Sequence, residues 1–513
     1  MTRKFKRIPE LRAMTGAVSI ALLGLAGCSF VPKYERPEAP VASAWPAEAK
    51  VNEPATAVPA ADLPWQQFVQ DDALRQLIDL GLVANRDLRV ALSNIEQARA
   101  AYQIRRADQL PSVGLAASGS RSAPNPYAAL GGGSVASQYT VGLGVSAWEL
   151  DFFGRVAALK DAALASFLAT EESRKSTQIA LVAAISNAWL QLKTDTELQA
   201  LAERTLVTRE QSLALTKLRF DHGTSSALDM RQAESLTANA RATRAQQVRL
   251  RAQDINLLTL LVGQPIPARL IPPVPTTPQA QAPSNLAQPA TSTAPSAPLP
   301  AFAELPAGLP SDLLLRRPDI RAAEQQLISA NANIGAARAS FFPSITLTGS
   351  LGRVSSDLDG LFGSGGQRAW SFGPSLSLPI FDGGRNEANL ASAQAARDVA
   401  VAQYEKAIQT AFREVADALA GRATLGDQLA ALEAQTAAER DRYRLADLRY
   451  RNGVASYLDL LDAERSLFSV EQSLAQVRLA QRSNDVALYK ALGGGWTEPP
   501  AEAMVASQPA TAR

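Results

Sequence analysis

The sequence predicts a mainly α-helical chain that also carries a few membrane-type β-strands and is built from two similar halves. Three observations predict this fold class. One turn sequence occurs twice, two stretches of more than a hundred residues lack proline, and four short segments alternate apolar with small polar residues.

Residues 1–27 predict a bacterial lipoprotein signal peptide. Five basic residues precede an apolar run from Ala13 to Gly27, which is too short for a comfortable membrane span. The run ends in LAGC, and Cys28 is the only cysteine of the chain. We therefore expect cleavage before Cys28, with N-palmitoyl and S-diacylglycerol groups on that residue, and Ser29 is typical of lipoproteins sent to the outer membrane. An ordinary signal peptide followed by a chance cysteine is the alternative.

The composition argues against several classes of function. A single cysteine excludes an internal disulfide, and one cysteine with one histidine makes a zinc site improbable. Loss of residues 1–27 changes the formal net charge from +2 to −2. The mature chain therefore lacks the excess of basic charge that is typical of nucleic-acid-binding proteins. Catalysis of the Ser-His-Asp kind would have to use His222. The GLGVSA segment at Gly142–Ala147 fits a dinucleotide-binding pattern but lies inside an alternating strand. We expect no enzyme, no metal and no cofactor apart from the covalent lipid.

The doubled turn indicates an internal repeat. FDHGTSSALDMRQAES (Phe220–Ser235) and YRNGVASYLDLLDAER (Tyr450–Arg465) align 230 residues apart, and WELDFFGR at 148–155 pairs with PIFDGGR at 379–385. A period of about 200 residues indicates two similar halves rather than a solenoid. The predicted organisation is a lipidated extended segment at 28–70, repeat 1 at 71–271, a Pro/Ala-rich linker at 272–302, repeat 2 at 303–495 and a disordered tail at 496–513.

Within each repeat the pattern predicts helix, strand, strand, very long helix, turn and return helix. Gly223 is the only glycine between Arg155 and Val262, so Arg155–Phe220 reads as one helix of 66 residues, ~100 Å long. A typical globular helix has ~11–12 residues, so a helix of this length needs side-by-side partners. Apolar residues spaced by three and four, such as Ile185 and Trp189, predict the packing seam.

Four segments predict β-strands, namely Ser112–Ser120, Thr140–Leu150, Ser344–Gly352 and Gly373–Phe381. Each has about ten residues, the length that crosses a bilayer as a tilted strand. Judged from the strands alone, a half-buried sheet in a soluble protein is the alternative to membrane-spanning strands. An open sheet edge is not viable in lipid, so membrane strands require a barrel shared between chains, and three chains would give twelve strands.

Several ordered motifs together resemble the TolC-like outer-membrane efflux ducts, and most closely the lipoprotein branch that includes OprM and NodT. The resemblance covers about Cys28 to Trp496, and the motifs are LAGC, LPSDLLLRRPDIRAAE, WELDFFGR, LPIFDGGR, YRNGVASYLDLLDAERSLF and LYKALGGGW. It implies a homotrimer in the outer membrane of a Gram-negative bacterium, with a twelve-strand β-barrel and a long α-helical periplasmic barrel. It also implies a periplasmic adaptor and an inner-membrane pump of the resistance-nodulation-division class, which drive drugs or other small solutes outward.

Two rival functions stay open beside this resemblance. A structural periplasmic coiled-coil lipoprotein would account for the helices and Cys28 but not for the strands. Export of proteins rather than small molecules would use the same fold. The sequence identifies neither the exported substrate nor the cognate pump.

The resemblance also assigns roles at the doubled turn. Gly223 and Gly453 are expected at the periplasmic tip. The residues that match the family's tip constriction are Tyr450, Leu458, Asp459, Asp462 and Arg465, while Asp229 matches an acid that helps latch the first-repeat turn. The position two past the turn glycine is basic in TolC but is Ala455 here, so that particular latch is missing. Asp229 and Asp459 also fit Ser-x-x-Asp capping boxes, which would explain them without gating.

Asp462 lies outside the capping box, and its repeat counterpart is Gln232. It lies three residues before Arg465, which makes Arg465 the basic partner expected from helical spacing. We therefore expect only the second repeat to line the closed aperture, as a periplasmic gate. A solvated helix surface that carries an Asp462–Arg465 pair is the alternative to a gate.

Overall fold

The computed structural model describes residues 29–42, 44–45, 62–123, 135–275, 299–305, 316–363 and 365–496. The predicted signal peptide, Cys28, most of the linker and nearly all of the tail lie outside the described residues. The chain divides into two compact units, and each takes residues from both sequence halves. The sheet unit comprises Met1–Glu38, Ser93–Glu171 and Ala322–Lys406, and the turn unit comprises Ala39–Leu92, Glu172–Arg321 and Ala407–Arg513.

The helices and strands follow the predicted order. The helices are α1 Trp65–Phe68, α2 Asp72–Ala84, α3 Arg86–Ala107, α4 Arg155–Asp221, α5 Ala227–Val262, α6 Pro318–Ala339, α7 Leu358–Phe362, α8 Arg385–Arg451 and α9 Tyr457–Ala491. The strands are β1 Val113–Ser122, β2 Ala136–Leu150, β3 Ser344–Ser355 and β4 Gln367–Ser377. The two long helices α4 and α8 have 67 residues each, which confirms the length predicted for α4. The helices α1, α2 and α7 were not anticipated.

The sheet unit contains one antiparallel sheet in the order β1-β2-β3-β4. The central pair β2–β3 joins a strand of the first sequence half to a strand of the second. The prediction for β4 was displaced, because the strand spans Gln367–Ser377 whereas Gly373–Phe381 was expected. Leu378–Phe381 leaves the ladder, and Pro379 has no N–H to donate to a partner strand.

An extended N-terminal segment, residues 29–38, runs along α6 in the sheet unit. The Phe30 and Phe342 rings stack with centroids 4.4 Å apart. Arg36 donates two hydrogen bonds to the Glu324 carboxylate, at 2.7 and 2.8 Å. Bidentate charge-assisted hydrogen bonds of this kind fix both distance and orientation. This part of the segment predicted to be extended is therefore held at two places, at Glu324 on α6 and at Phe342 just beyond its end.

The core of the turn unit confirms the predicted seam on α4. Ile185 and Leu192 are fully buried and Trp189 is 2% exposed. The helix α2 adds its own buried face to this unit, with Leu74, Leu77 and Ile78 fully buried. None of the helices in the described part of the chain is both long and apolar enough to cross a membrane.

A carboxyl pair between α4 and α5 gives the turn unit a pH-dependent stability. Burial, with the neighbouring Asp195 carboxyl as a second cause, raises the pKa of Asp254 from its ordinary value of 3.8 to about 7. The folded state therefore holds the Asp254 proton more tightly than the unfolded state does. Stability should accordingly fall as the pH rises from about 4 to about 7.

We expect Asp254→Asn to raise the free energy of unfolding at pH 8 by about 1–2 kcal/mol and to change little at pH 4. This increase is smaller than the free energy that corresponds to the full pKa shift, because solvent screens a half-buried carboxyl. Thermal unfolding followed by circular dichroism at both pH values measures it. The matched control is Asp441→Asn on the exposed surface of α8. An equal effect of the Asp254 variant at both pH values would contradict the assignment.

Candidate functional site

The two turns that join the long helices to the return helices share one backbone conformation. Gly223 and Gly453 both have φ of 71°, in the left-handed region that favours glycine. In each turn two backbone hydrogen bonds form a Schellman motif. The bonds are Gly223 N–Phe220 O at 2.9 Å, Thr224 N–Arg219 O at 2.8 Å, Gly453 N–Tyr450 O at 3.0 Å and Val454 N–Arg449 O at 2.9 Å. The repeat seen in the sequence is thus a repeat in three dimensions.

Capping boxes open both return helices, as the sequence predicts. Asp229 N donates to Ser226 Oγ at 3.1 Å, and Asp459 N donates to Ser456 Oγ at 3.3 Å. In return, each aspartate side chain accepts from the N–H of its serine, at 3.2 Å in both turns. Hydrogen bonds from Ser226 lower the pKa of Asp229, which keeps this cap ionised. These contacts show the capping role, while the latch role of Asp229 stays a prediction.

Asp462 lies on the exposed side of α9, where its side chain is 64% exposed. Its partner is Arg442 of α8, through Nη2 and Oδ2, rather than Arg465 as helical spacing suggested. The chain folds back at Gly453, so Arg442, eleven residues before that glycine, comes level with Asp462, nine residues after it. Arg442 also donates to Ser466 Oγ at 3.2 Å. Asp462 and Arg442 therefore link α9 to α8.

The apolar residue of the predicted constriction is also exposed. Leu458 lies one turn before Asp462 on α9 and is 60% exposed. Its counterpart Leu228 on α5 is 75% exposed. The acid, and not the leucine, is therefore the feature that separates the second turn from the first.

Tyr450 ties the second turn to the first long helix. The ring is buried, and the Arg219 guanidinium of α4 lies 4.7 Å from its centroid. The ring of Tyr457, at the start of α9, is 5.5 Å away. Burial is the main cause that raises the pKa of Tyr450. Sequence reasoning placed Tyr450 here but missed Arg219 and Tyr457.

A buried ion pair behind the turns was also missed. Arg209 of α4 donates from Nε to Glu464 Oε1 of α9 at 3.1 Å, and from Nη1 to the carbonyl of Leu236 on α5 at 3.1 Å. Burial raises the pKa of Glu464 and Arg209 opposes that rise. The repeat counterpart Glu234 instead pairs with Arg231 on the surface at 2.7 Å. One side chain thus joins the helices of both turns.

Comparisons with known proteins agree with this architecture. The family model described as "Outer membrane efflux protein" matches residues 77–264 and 309–494, one segment in each half. The "Antibiotic efflux pump outer membrane protein ArpC" and the "Toluene efflux pump outer membrane protein TtgC" of Pseudomonas putida are each 48% identical over 489 residues, with 95% of this chain and 96% of each relative covered.

Solved structures extend the likeness to three dimensions. The open state of the MtrE outer membrane channel of Neisseria gonorrhoeae is 40% identical, with a TM-score of 0.78, and the match covers 91% of this chain and 98% of that one. The outer-membrane channel OprN is 32% identical, with a TM-score of 0.78, and the match covers 91% of this chain and all of that one. The mixture of long helices with a small antiparallel sheet is therefore the fold of outer-membrane channels. The chain therefore belongs to the outer membrane efflux protein family, as the outer-membrane component of an efflux pump.

Proposed function

We propose that three copies of this chain form one channel across the outer membrane, as the exit duct of a tripartite efflux assembly. The four strands of each copy contribute to a twelve-strand barrel, and the long helices form a tunnel in the periplasm. A periplasmic adaptor connects the tunnel to an inner-membrane pump of the resistance-nodulation-division type. The relatives are named for antibiotic and toluene efflux, so we propose small, largely apolar solutes as cargo.

Membership of the outer membrane efflux protein family supports the duct itself, and the observation that carries its gating is the difference between the two turns. Both have the same backbone, but only the second places an additional carboxylate, Asp462, on its exposed helix surface beside Leu458. Threefold symmetry would bring three copies of each residue together. Three carboxylates attract and hold cations, while three leucines narrow the same opening. We propose that Tyr450, Leu458, Asp459, Asp462 and Arg465 form a gate at the periplasmic tip, with Asp229 as a latch.

Two measurements test the function. Expression in a strain that lacks its own outer-membrane duct should restore resistance to toluene and to antibiotics, when the pump and adaptor are supplied. The purified protein should also migrate as a heat-modifiable trimer and conduct ions in planar bilayers. A soluble, elongated, non-conducting rod would overturn the proposal in favour of a structural periplasmic lipoprotein. Conductance without small-molecule resistance would favour export of proteins.

Arg442 should restrain the gate more than Arg465 does. Loss of Arg442 frees α9 from α8 at Asp462, whereas Arg465 makes no ion pair among the described residues. An exposed ion pair contributes ~0.2–1 kcal/mol, so Arg442→Ala should raise resting conductance by up to about fivefold. Single-channel recording on Arg442→Ala and Arg465→Ala measures this. A larger effect of the Arg465 variant would show that the described pair is not the restraint.

Lipid attachment at Cys28 is a separate proposal, because the residue lies outside the described residues. We expect Cys28→Ser to leave a folded, membrane-bound trimer without the lipid, since the strands themselves hold the protein in the bilayer. Mass spectrometry of the mature N-terminus shows whether Cys28 carries the lipid. An unmodified Cys28 in the wild-type protein would contradict the assignment, and Ser29→Ala serves as the control that retains the lipid.

A further inference from the structure

The charged side chains of the sheet are concentrated at one of its two ends. The four strands β1–β4 contain the charged residues Arg121, Glu149, Arg353 and Arg368. Glu149 lies at the end of β2 that leads into α4, where it pairs with Arg155. The three strand arginines lie at the other end, beside the connections from β1 to β2 and from β3 to β4. We call these three residues the basic rim.

The basic rim lies on the apolar face of the sheet. An apolar row crosses that face, because Leu115, Leu143, Leu351 and Trp370 are register partners on successive strands. These side chains are 52–76% exposed. Each rim arginine lies an even number of residues from the member of the row on its own strand, namely six on β1 and two on β3 and β4. Because side chains alternate along a strand, the basic rim and the apolar row share one face.

Two of the rim arginines repel each other. Arg353 and Arg368 are register partners on neighbouring strands, and like charges that lie directly opposite in an antiparallel pair are destabilising. Arg353 donates from Nη2 to the carbonyls of Gly363 and Gly366, both at 3.0 Å, which holds its side chain but does not neutralise it. Among the described residues no rim arginine forms an ion pair. An anion that contacts both guanidinium groups would relieve this repulsion.

The two features of this face together select the ligand. A guanidinium group presents a planar fork of N–H donors that matches phosphate oxygens, and two adjacent forks favour a ligand with more than one negative charge. The exposed apolar row beside them suits acyl chains, which a water-soluble anion lacks. The ligand indicated by both features is therefore a lipid that carries phosphate.

The proposed function places this end of the sheet at the outer surface of the membrane. The strands enter the long helices at their other end, and these helices form the periplasmic tunnel in the proposed channel. An arginine on the lipid-facing side of a barrel is costly at the bilayer midplane but tolerated near the interface. The basic rim would then lie at the level of the lipid headgroups in the outer leaflet.

We propose that the basic rim binds the phosphate groups of an anionic lipid, whose acyl chains lie against the apolar row. The phosphates contact Arg353 and Arg368, and Arg121 adds positive charge on the same face. This inference rests on the proposed function for the orientation of the sheet in the bilayer. It assigns a ligand site in the sheet unit that shares no residue with the gate.

Native mass spectrometry of the purified, delipidated protein in detergent, titrated with lipid A as a bisphosphorylated probe, tests the site. The wild type should retain at least one lipid A per chain. Arg368→Gln should weaken retention by about tenfold, as expected for loss of hydrogen bonds to a charged group, and adding Arg353→Gln should weaken it further. Arg368→Gln is the primary variant because Arg353 also supports the loop after α7.

The matched control removes two arginines from the same unit without touching the basic rim. Arg105→Gln with Arg106→Gln changes the last turn of α3, which precedes the other end of β1. This double variant loses as much charge as Arg353→Gln with Arg368→Gln. It should retain lipid A like the wild type.

Three results would overturn the proposal. The first is equal retention of lipid A by Arg353→Gln with Arg368→Gln, and the second is equal retention of an uncharged diacylglycerol by the wild type. The third is full displacement of lipid A by millimolar inorganic phosphate, which would indicate a site for free phosphate. Bilayer conductance of the same preparations separates the two proposals, because a conducting protein that does not retain lipid A refutes only the lipid site.

Discussion

Replacing Asp459 and Asp462 together with asparagine should abolish the cation selectivity of the channel and its block by divalent or trivalent cations. Asparagine keeps the volume of each side chain and an oxygen that accepts the cap hydrogen bond at Ser456, but it removes the charge. In the proposed trimer this takes six negative charges from one opening. We expect half-blocking concentrations of multivalent cations to rise at least about tenfold, as measured by single-channel recording in planar bilayers.

The control exploits the internal repeat. Gln232→Ala changes the first-turn position that corresponds to Asp462, where the backbone and the capping box are the same. This variant should leave selectivity and block near the wild-type values. If it shifts block as much as the second-turn variant does, the claim that only the second repeat lines the aperture is wrong.

Breaking the buried pair between Arg209 and Glu464 should destabilise the turn unit strongly. Arg209→Met leaves the Glu464 carboxylate buried without its partner and the Leu236 carbonyl without its donor. Removal of one member of a buried pair costs about 3–5 kcal/mol. Denaturant unfolding in detergent measures the loss, and resting conductance should rise because α9 is no longer held to α4 and α5.

The double variant Arg209→Met with Glu464→Leu provides the sharper comparison. Replacing both charges with apolar groups avoids the unpaired carboxylate, so much of the lost stability should return. Glu234→Gln, at the repeat counterpart on the surface, should stay within about 0.5 kcal/mol of the wild type. A double variant as unstable as Arg209→Met alone would show that packing rather than charge holds the helices.

The sequence predicted elements that depend on local pattern. The α4 helix was anticipated to within one residue because proline is absent and the next glycine is Gly223. Both capping boxes were identified because Ser226 and Ser456 stand three residues before an aspartate. These features depend on residues that are close together in the chain.

Features that depend on how helices and strands come together could not be predicted in the same way. Arg465 lies at helical spacing from Asp462, yet Arg442 of the neighbouring helix forms the ion pair with Asp462. The distance of each residue from the turn decides which side chains of the two helices meet. Glu234 and Glu464 look equivalent in the repeat, but only one is buried against Arg209. β4 was displaced because its alternating pattern continues past Ser377, where pairing with β3 has already ended.

The self-contained closure of the two turns has an evolutionary consequence. Gly223 and Ser226, with their counterparts Gly453 and Ser456, close the backbone of each turn through local hydrogen bonds. Residues between them, such as Val454 at 68% exposed, contribute little to folding. Such positions are free to diverge when a duplicated gene acquires a new partner, while the chain still folds. In the proposed assembly, a partner that docked at these turns could therefore change its contacts without a loss of stability in the channel.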